Sequence, residues 1–531
     1  MGAPRSFPFE PDVPPAPLAG LLAPLRAAGL LAAPDREAIP EEAGSLLIHR
    51  LADDSRAVTP GTLFVARSGD HTDGHLFLDT AVQNGAVAAV VSAEWYRDRP
   101  NSLGNAAAAN EPLGKGERLP GAACVLVPVT DTRAALGELA NAFYGAPSRH
   151  LDLLGVTGTN GKTTTAFLLY RLLTALGVRA GLVGTVENRI GERRVETAYT
   201  TPEAIELNAL LRAMVDAGCG ACAMEVSSHG LALDRVRAQR FRAGVFTNLT
   251  HDHLDFHPSF EHYRAAKKRL FDGLDDGAVA VVNRDDAAWA EMVADTMAPV
   301  VTYGTDPAAD VRVEVLENAL DGLRLRLDGA ERTFRLAGGF NAYNLAAAYA
   351  VGRALGYGRD EVLDVLAEAP GVPGRFETVR SDDGVLGVVD YAHTPDALEN
   401  VLRTARGMMG EGQRLWAVFG CGGDRDRAKR PVMGRLAEAL ADRVVLTSDN
   451  PRGEDPDAIL AEIRSGLTNP DAAAVIPDRA AAIAHAAARA APGDVVVVAG
   501  KGHEDYQIVG AEKRPFDDRR ELRAAFDRRA N

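Results

Sequence analysis

Residues Leu153 to Thr164 read Leu-Leu-Gly-Val-Thr-Gly-Thr-Asn-Gly-Lys-Thr-Thr. An apolar run enters a loop carrying Gly158 and Gly161, and Lys162, Thr163 and Thr164 then open an amphipathic helix. An apolar strand that leaves through a glycine loop into a helix is the arrangement of a phosphate-binding βα unit. Backbone N–H groups of such a loop and of the helix start cradle phosphate oxygens. Lys162 then reaches the outer phosphates and the Thr163 hydroxyl meets Mg²⁺. The spacing departs from the strict phosphate-loop pattern, which wants glycine where this chain has Val156. The loop alone therefore says ATP or GTP and no more.

The same rhythm recurs along the chain. Near-continuous apolar runs at 151–156, 221–226, 244–248 and 279–283 read as strands buried on both faces. Short antiparallel strands are expected over 311–336, then helices at 342–355 and 360–369. Gly371-Val-Pro-Gly-Arg375 punctuates the pattern. Beyond it a second βαβα series has strands at 387–391, 415–420, 444–448 and 495–499. Upstream, strands at 62–66, 86–91 and 124–129 precede a helix at 133–144. The reading is an α/β chain of three domains: 45–147, a central phosphate-loop parallel-sheet domain at 148–372, and a Rossmann-like domain at 373–531. Residues 1–44, rich in Pro and Ala, are expected to be poorly ordered, and 99–121 to be a flexible surface insertion.

Composition excludes several classes. A net charge of −15 argues against general nucleic-acid binding. No apolar run approaches the ~20 residues of a membrane span, and no secretory signal is visible, so a cytoplasmic protein is expected. The cysteines Cys124, Cys219, Cys222 and Cys421 make no disulfide framework, and Cys219 and Cys222 lack the partners of a zinc site. Lysine is scarce; the only ones are Lys115, Lys162, Lys267, Lys268, Lys429, Lys501 and Lys513. Where a chain that uses Arg as its routine cation keeps Lys, amine-specific chemistry gains weight.

Chemistry clusters at strand ends. Glu225, in Met224-Glu-Val-Ser-Ser-His229, is a carboxylate beside the phosphate loop and suits Mg²⁺. Thr247 to His257 packs three histidines and two aspartates, a second metal or phosphate contact. Lys267 taken alone is one cation of a basic helix face. In the last domain four polar loops follow successive strands: Asp390-Tyr-Ala-His-Thr-Pro395, Gly420 to Arg427, Asp449-Asn-Pro-Arg-Gly-Glu-Asp-Pro456 and Gly500-Lys-Gly-His-Glu504. Loops at the carboxyl ends of parallel strands converge on one crevice. Arg425 and Arg452 fit carboxylates and Glu504 fits an ammonium, which describes an amino-acid pocket; a phosphate-binding Arg pair is the alternative.

Together these residues resemble the Mur ligases, the ATP-dependent amide-bond-forming enzymes of peptidoglycan synthesis. The match runs from about Ser45 to the C-terminus, and Gly158-Thr-Asn-Gly-Lys-Thr-Thr164 is that family's form of the phosphate loop. The resemblance implies ATP and Mg²⁺ as cofactors and, as substrates, a UDP-N-acetylmuramoyl-dipeptide and a diamino acid; a monomer is expected. It implies a uridine-nucleotide site at Ser55 and at Asp70, His71 and Thr72, and contacts to the muramoyl-dipeptide from Thr200, Thr201, Ser227 and Arg235. Leu233 stands where the family can carry a glutamine. Gly158, Thr159, Asn160, Gly161, Lys162, Thr163 and Thr164 would hold ATP, with Asn341 and Asn344 on the adenine side and Arg375, Asp390 and His393 from the third domain. Thr163, Glu225, His253 and a carbamylated Lys267 would hold Mg²⁺. Arg425, Asp449, Asn450, Pro451, Arg452, Gly500 and Glu504 would take the added amino acid, and a bidentate Arg452 favours meso-diaminopimelate over lysine or ornithine. Lys162, Lys267, Glu225 and His253 form the expected catalytic set. The rivals are another ligase of the family, a folylpolyglutamate synthase, or a GTP switch. The last needs a guanine reader, and its nearest match, Asn283-Arg-Asp-Asp286, has Arg for the lysine.

Overall fold

The computed structural model describes residues 11–32, 41–68, 72–98, 124–196, 199–250, 256–319 and 322–529. They form two compact units. The first takes Met1–Lys162, Leu173–Val282 and Asp286–Val301; the second takes Thr163–Leu172, Asn283–Asp285 and Thr302–Asn531.

The first unit begins with a correction. Part of the expected poorly ordered start is helix α1 (Leu18–Ala27), whose Leu18, Leu21, Leu22 and Leu25 are buried. These leucines fall at i, i+3, i+4 and i+7, one helix face. They share a core with Leu136, Leu139 and Phe143 of α2 (Thr132–Phe143), and Leu30 and Ala32 hydrogen-bond to Thr130 and Pro128. Apolar burial thus outweighs the Pro and Ala content. A parallel four-stranded sheet follows, in the order β1 (Arg50–Ala52), β2 (Thr62–Val65), β3 (Ala86–Ser92), β4 (Val125–Val129). The 99–121 insertion lies outside the described residues.

The central sheet of this unit is built from β5 (Asp152–Thr157), which leads to α3 (Lys162–Ala175), then β6 (Ala180–Val183), β7 (Asn188–Ile190), β8 (Arg193–Val195), α4 (Ala204–Asp216), β9 (Ala221–Glu225), β10 (Ala243–Phe246), α5 (Phe260–Asp272) and β11 (Val279–Asn283). Strand order is β8-β7-β6-β9-β5-β10-β11. The run from β6 to β11 is parallel, and β7 and β8 add antiparallel at the edge. β5 sits between β9 and β10, so the phosphate loop leaves the middle of the sheet.

In the second unit, β12 (Val311–Ala319), β13 (Gly322–Leu327) and β14 (Ala330–Phe334) form the expected antiparallel meander, followed by α6 (Phe340–Ala354) and α7 (Arg359–Glu368). The last sheet comprises β15 (Glu377–Arg380), β16 (Leu386–Asp390), β17 (Leu415–Phe419), β18 (Arg443–Leu446) and β19 (Val495–Ala499), with the two-residue strand Ala474–Val475 on its far edge. The order is β15-β16-β19-β17-β18, and the four strands from β16 to β18 are parallel. Helices α8 (Pro395–Gly407), α9 (Lys429–Leu440), α10 (Pro456–Arg464), α11 (Arg479–Arg489) and, after an antiparallel hairpin of β20 (Tyr506–Val509) and β21 (Glu512–Pro515), α12 (Asp518–Asp527) complete the domain. Apolar cores on the two faces of this sheet explain why its strands read as unbroken runs such as Val495-Val-Val-Val498. No helix among the described residues is long and apolar enough to cross a membrane.

Candidate active site

The phosphate loop explains its own irregular spacing. Val156 is fully buried within β5, paired with Glu225 and Val245, so the strand is still running where the strict pattern turns. The turn comes at Gly158 (φ +148°) and Gly161 (φ +86°). A Cβ on Gly158 would lie 1.9 Å from Thr247 Oγ1, which forbids any side chain there. The segment after β10 clamps the loop: Asn248 O accepts from Thr159 N at 2.8 Å, Asn248 Oδ1 from Asn160 N at 2.9 Å, and Thr247 Oγ1 donates to Asn160 O at 2.6 Å. Tyr263 Oη lies 2.9 Å from Thr159 Oγ1. The sequence marks the segment from Thr247 to His257 for its histidines and aspartates, but not Thr247 and Asn248 themselves, nor Tyr263, as the residues that hold the loop. Lys162 Nζ donates to Gly158 O at 2.8 Å and Thr159 O at 2.7 Å. Thr163 and Thr164 follow in the first turn of α3.

Lys267 is not on a solvated face. It is 1% exposed, donates from Nζ to Gly158 O at 2.7 Å and lies 4.4 Å from the centre of the Tyr263 ring. Its neighbour Lys268 faces outward to Asp272 and Asp295. Glu225 ends β9 beside β5, also 1% exposed, and accepts from Thr185 N at 2.7 Å. A Cβ on Gly184 would come within 2.5 Å of Glu225 Oε1, so the glycine keeps that oxygen's approach open. A buried carboxylate oxygen at the root of the phosphate loop, with a Thr hydroxyl opening the helix, is the hard-oxygen donor chemistry Mg²⁺ prefers, so these residues fit the ion. His253 and its neighbours 251–255 lie outside the described residues.

Thr200, Thr201, Ser227 and Arg235 come together. Thr201 Oγ1 donates to Glu225 O at 2.9 Å, Ser227 N donates to Thr201 Oγ1 at 3.0 Å, and Thr185 and Thr200 hydroxyls are 2.9 Å apart. Arg235 turns inward: it donates to Thr201 O at 3.0 Å and Glu203 Oε1 at 2.8 Å and lies over the Tyr199 ring. Glu203 also accepts from Arg67 at 2.9 Å, and Arg67 pairs with Asp53 at 3.1 Å, so the four-stranded domain is tied to this cluster. Sequence reasoning did not select Asp53, Arg67 or Glu203; nothing in their spacing announces a pairing across 136 residues. Ser55 is buried in a short turn after β1 and Thr72 is exposed; Asp70 and His71 lie outside the described residues.

In the second unit Asn344 Nδ2 donates to Asn341 Oδ1 at 2.8 Å, and Asn341 Nδ2 to Ala337 O at 2.8 Å, fixing both amides. Arg375 lies 4.7 Å over the Tyr391 ring. Asp390 accepts from Phe376 N at 2.7 Å and Ala392 N at 2.8 Å and holds Phe376 in a left-handed conformation, φ +48°. His393 Nδ1 is 2.9 Å from Tyr391 O. Asp285 of the guanine-reader candidate is consumed by Thr305 N, Asp306 N and the Tyr343 hydroxyl, and Asp286 accepts from Leu249 N, so neither carboxylate is open to a base.

The four strand-end loops of the last domain follow four neighbouring strands, β16, β19, β17 and β18. Arg452 has φ +52° and donates to Gly423 O at 2.9 Å and Asn450 O at 3.5 Å. Glu454, the nearest acid in sequence, is taken by buried Arg430 through two 2.9 Å bonds and accepts from Asp424 N at 2.6 Å. Arg430 beside it holds its carboxyl down at about 2. Arg425 donates to Asp424 O at 3.1 Å. Neither Arg425 nor Arg452 has a carboxylate partner among the described residues, so two cations stand open at adjacent strand ends. Gly500 (φ +120°) leaves room for Asp449, whose Oδ2 a Cβ would approach to 2.5 Å. The cysteines are free, and burial pushes Cys124 and Cys421 up to about 12.

Family models match three stretches: the Mur ligase family catalytic domain over 47–144, the Mur ligase middle domain over 156–352, and the Mur ligase glutamate ligase domain over 374–502. The chain is 45% identical over 476 residues to the UDP-N-acetylmuramoyl-L-alanyl-D-glutamate–2,6-diaminopimelate ligase of Cytophaga hutchinsonii, covering 89% of this chain and 93% of that one. It is 43% identical to the protein of the same name from Geobacter metallireducens, over 92% of this chain and 96% of that one. A solved structure of a ligase of that name superposes with a TM-score of 0.63 at 33% identity, over 91% of this chain and 96% of the other. A D-alanyl-D-alanyl-adding ligase from Acinetobacter baumannii shares the fold, with a TM-score of 0.57 at 19% identity. The three matched domains and these relatives, set beside the phosphate loop and the strand-end loops, place the chain in the Mur ligase family.

Proposed function

We propose that the chain joins meso-diaminopimelate to the D-glutamyl carboxylate of UDP-N-acetylmuramoyl-L-alanyl-D-glutamate, spending ATP, in the cytoplasm and as a monomer. A carboxylate is a poor acyl donor. Transfer of the γ-phosphoryl group to it gives an acyl phosphate and ADP; the neutral amine of the diamino acid attacks the acyl carbon, and phosphate leaves from the tetrahedral intermediate. The loop N–H groups bind the phosphates, and Lys162, once it releases the loop carbonyls, carries positive charge to the outer ones. Thr163, Glu225, His253 and Lys267 as its carbamate would hold Mg²⁺, which when bound neutralises phosphate charge. Thr200, Thr201 and Ser227 orient the dipeptide, with Arg235 fixing Thr201 from behind. Asn341 and Asn344 lie on the adenine side, and Arg375, Asp390 and His393 complete the nucleotide contacts.

The observation that carries the choice of diamino acid is the open guanidinium of Arg452, with Glu454 sequestered by Arg430. Diaminopimelate brings two carboxylates for Arg425 and Arg452 and an ammonium for Glu504; lysine and ornithine would set an ammonium against Arg452. Steady-state assays with the three amino acids test this. Release of ADP and phosphate should require both substrates and favour diaminopimelate. A preference for either diamine, or hydrolysis without substrate, overturns it. Carbamylation of Lys267 is tested by Lys267→Ala, which small carboxylates should rescue.

A further inference from the structure

Lys501 has no assigned part in the reaction above, yet it is fully buried in a chain that keeps few lysines. Its Nζ donates to Glu504 Oε2 at 2.9 Å and to Asn450 Oδ1 at 3.1 Å, and lies 5.4 Å from the centre of the Tyr506 ring. The remaining bonds make this a closed arrangement. Ile508 N also donates to Asn450 Oδ1, at 2.9 Å, so two donors fix which way the Asn450 amide points. Its Nδ2 then faces Glu504 Oε2, at 2.9 Å. Glu504 therefore receives two donors on one oxygen, while its side chain stays partly exposed and no protein donor reaches Oε1 among the described residues.

We infer that Lys501 is a positioning residue for the amino-acid subsite: its buried ammonium fixes Asn450 and Glu504 so that one carboxylate oxygen is spent on the protein and the other is presented to the ligand. The inference rests on the amino-acid reading of this site. A buried ammonium is tolerated only with a close counter-charge and saturated donors. Glu504 supplies the charge, and the geometry that satisfies Lys501 is the same geometry that aims Glu504 Oε1 outward. Without Lys501 the Asn450 amide loses one of the donors that set its orientation, and Glu504 is free to swing toward Arg452 or solvent. Lysine suits this place better than arginine, because a single compact ammonium reaches two acceptors without the planar spread of a guanidinium.

The test is a double-mutant cycle on steady-state kinetics with Lys501→Met, Glu504→Gln and the pair, with Lys501→Gln as a second single variant should the methionine protein fold poorly. If Lys501 acts through Glu504, Lys501→Met raises the KM for diaminopimelate about 10-fold or more, the cost of a lost charge-assisted bond. The KM values for ATP and for the UDP-linked dipeptide should stay within about twofold, and the double variant should be no worse than the worse single one. A merely structural lysine would shift all three KM values together or add its penalty to that of Glu504→Gln, and either result overturns the inference. An unchanged amino-acid KM in Lys501→Met or Lys501→Gln, with a raised one in Glu504→Gln, overturns it while sparing the amino-acid reading. An unchanged value in Glu504→Gln removes the reading itself.

Discussion

Arg479 and Asp518 form an ion pair in which neither side chain is exposed. The two guanidinium bonds to the carboxylate are both 2.7 Å. The same guanidinium donates to Ser448 O at 3.2 Å and Ala499 O at 2.9 Å, the residues just before Asp449 and Gly500. Arg479→Met keeps the volume but strands a carboxylate in the core, which costs about 3–5 kcal/mol. With a urea slope of roughly 2 kcal/mol/M, the unfolding midpoint of this domain should fall by about 1.5–2.5 M. Trp416, in β17 of the same sheet, reports the transition once Trp95 and Trp289 are replaced by Phe. Asp518→Leu alone should cost a similar amount. The pair Arg479→Met with Asp518→Leu should recover most of the loss, since an apolar pair of similar volume replaces a buried ion pair at little cost. The double variant should still bind diaminopimelate poorly, because the two carbonyls that anchor the Asp449 and Gly500 loops have lost their donor. Single losses below about 1 kcal/mol, or losses that simply add in the double variant, would refute the reasoning.

Gly158→Ala should abolish ATP turnover while leaving the fold intact, because the new Cβ meets Thr247 Oγ1; an ATP KM within about threefold of the parent would count against the clamp described above. Arg430→Met should release Glu454 and raise the diaminopimelate KM by about 10-fold with little change for ATP, read by steady-state kinetics. His503 is pushed down to about 4 by burial, with Arg375 acting in the same direction. The unfolded chain takes up that proton near pH 6.5, so stability should fall as pH drops from about 6.5 to 4, by up to about 3 kcal/mol. Urea titrations across that range should show the slope flatten in His503→Phe; an unchanged slope assigns it elsewhere.

Much of this was legible because both faces of the parallel strands are covered. Val495-Val-Val-Val498 can hardly be anything but an interior strand, and β19 spans it. The strand-end loops were readable for the same reason: a polar burst after such a run has few places to go. The N-terminal helix was readable too, from the leucine spacing at 18, 21, 22 and 25, but Pro and Ala content obscured it. Other features had no local signal. The hairpin Tyr506–Pro515 is short and polar, and the Arg67–Glu203 and Arg479–Asp518 pairs join residues far apart in the chain. Lys267 and Lys501 show the difference between composition and position. Scarcity marked both as candidates; only the fold shows that each is buried against the site loops.

The Asp53–Arg67–Glu203–Arg235 chain of ion pairs has a consequence for the substrate as an object of fixed length. One end of a UDP-linked dipeptide would be held near Ser55 and the other at Thr200 and Thr201, and Glu203 braces the two regions to each other. With the donor held in that way, such a brace would act as a caliper, setting the span to be matched before a terminal carboxylate reached the threonines. A precursor one residue shorter or longer would present its carboxylate at the wrong station, whatever its chemistry. Selection for the stage of peptide assembly would then lie in this distance, and the loops after β17, β18 and β19 would choose what is added.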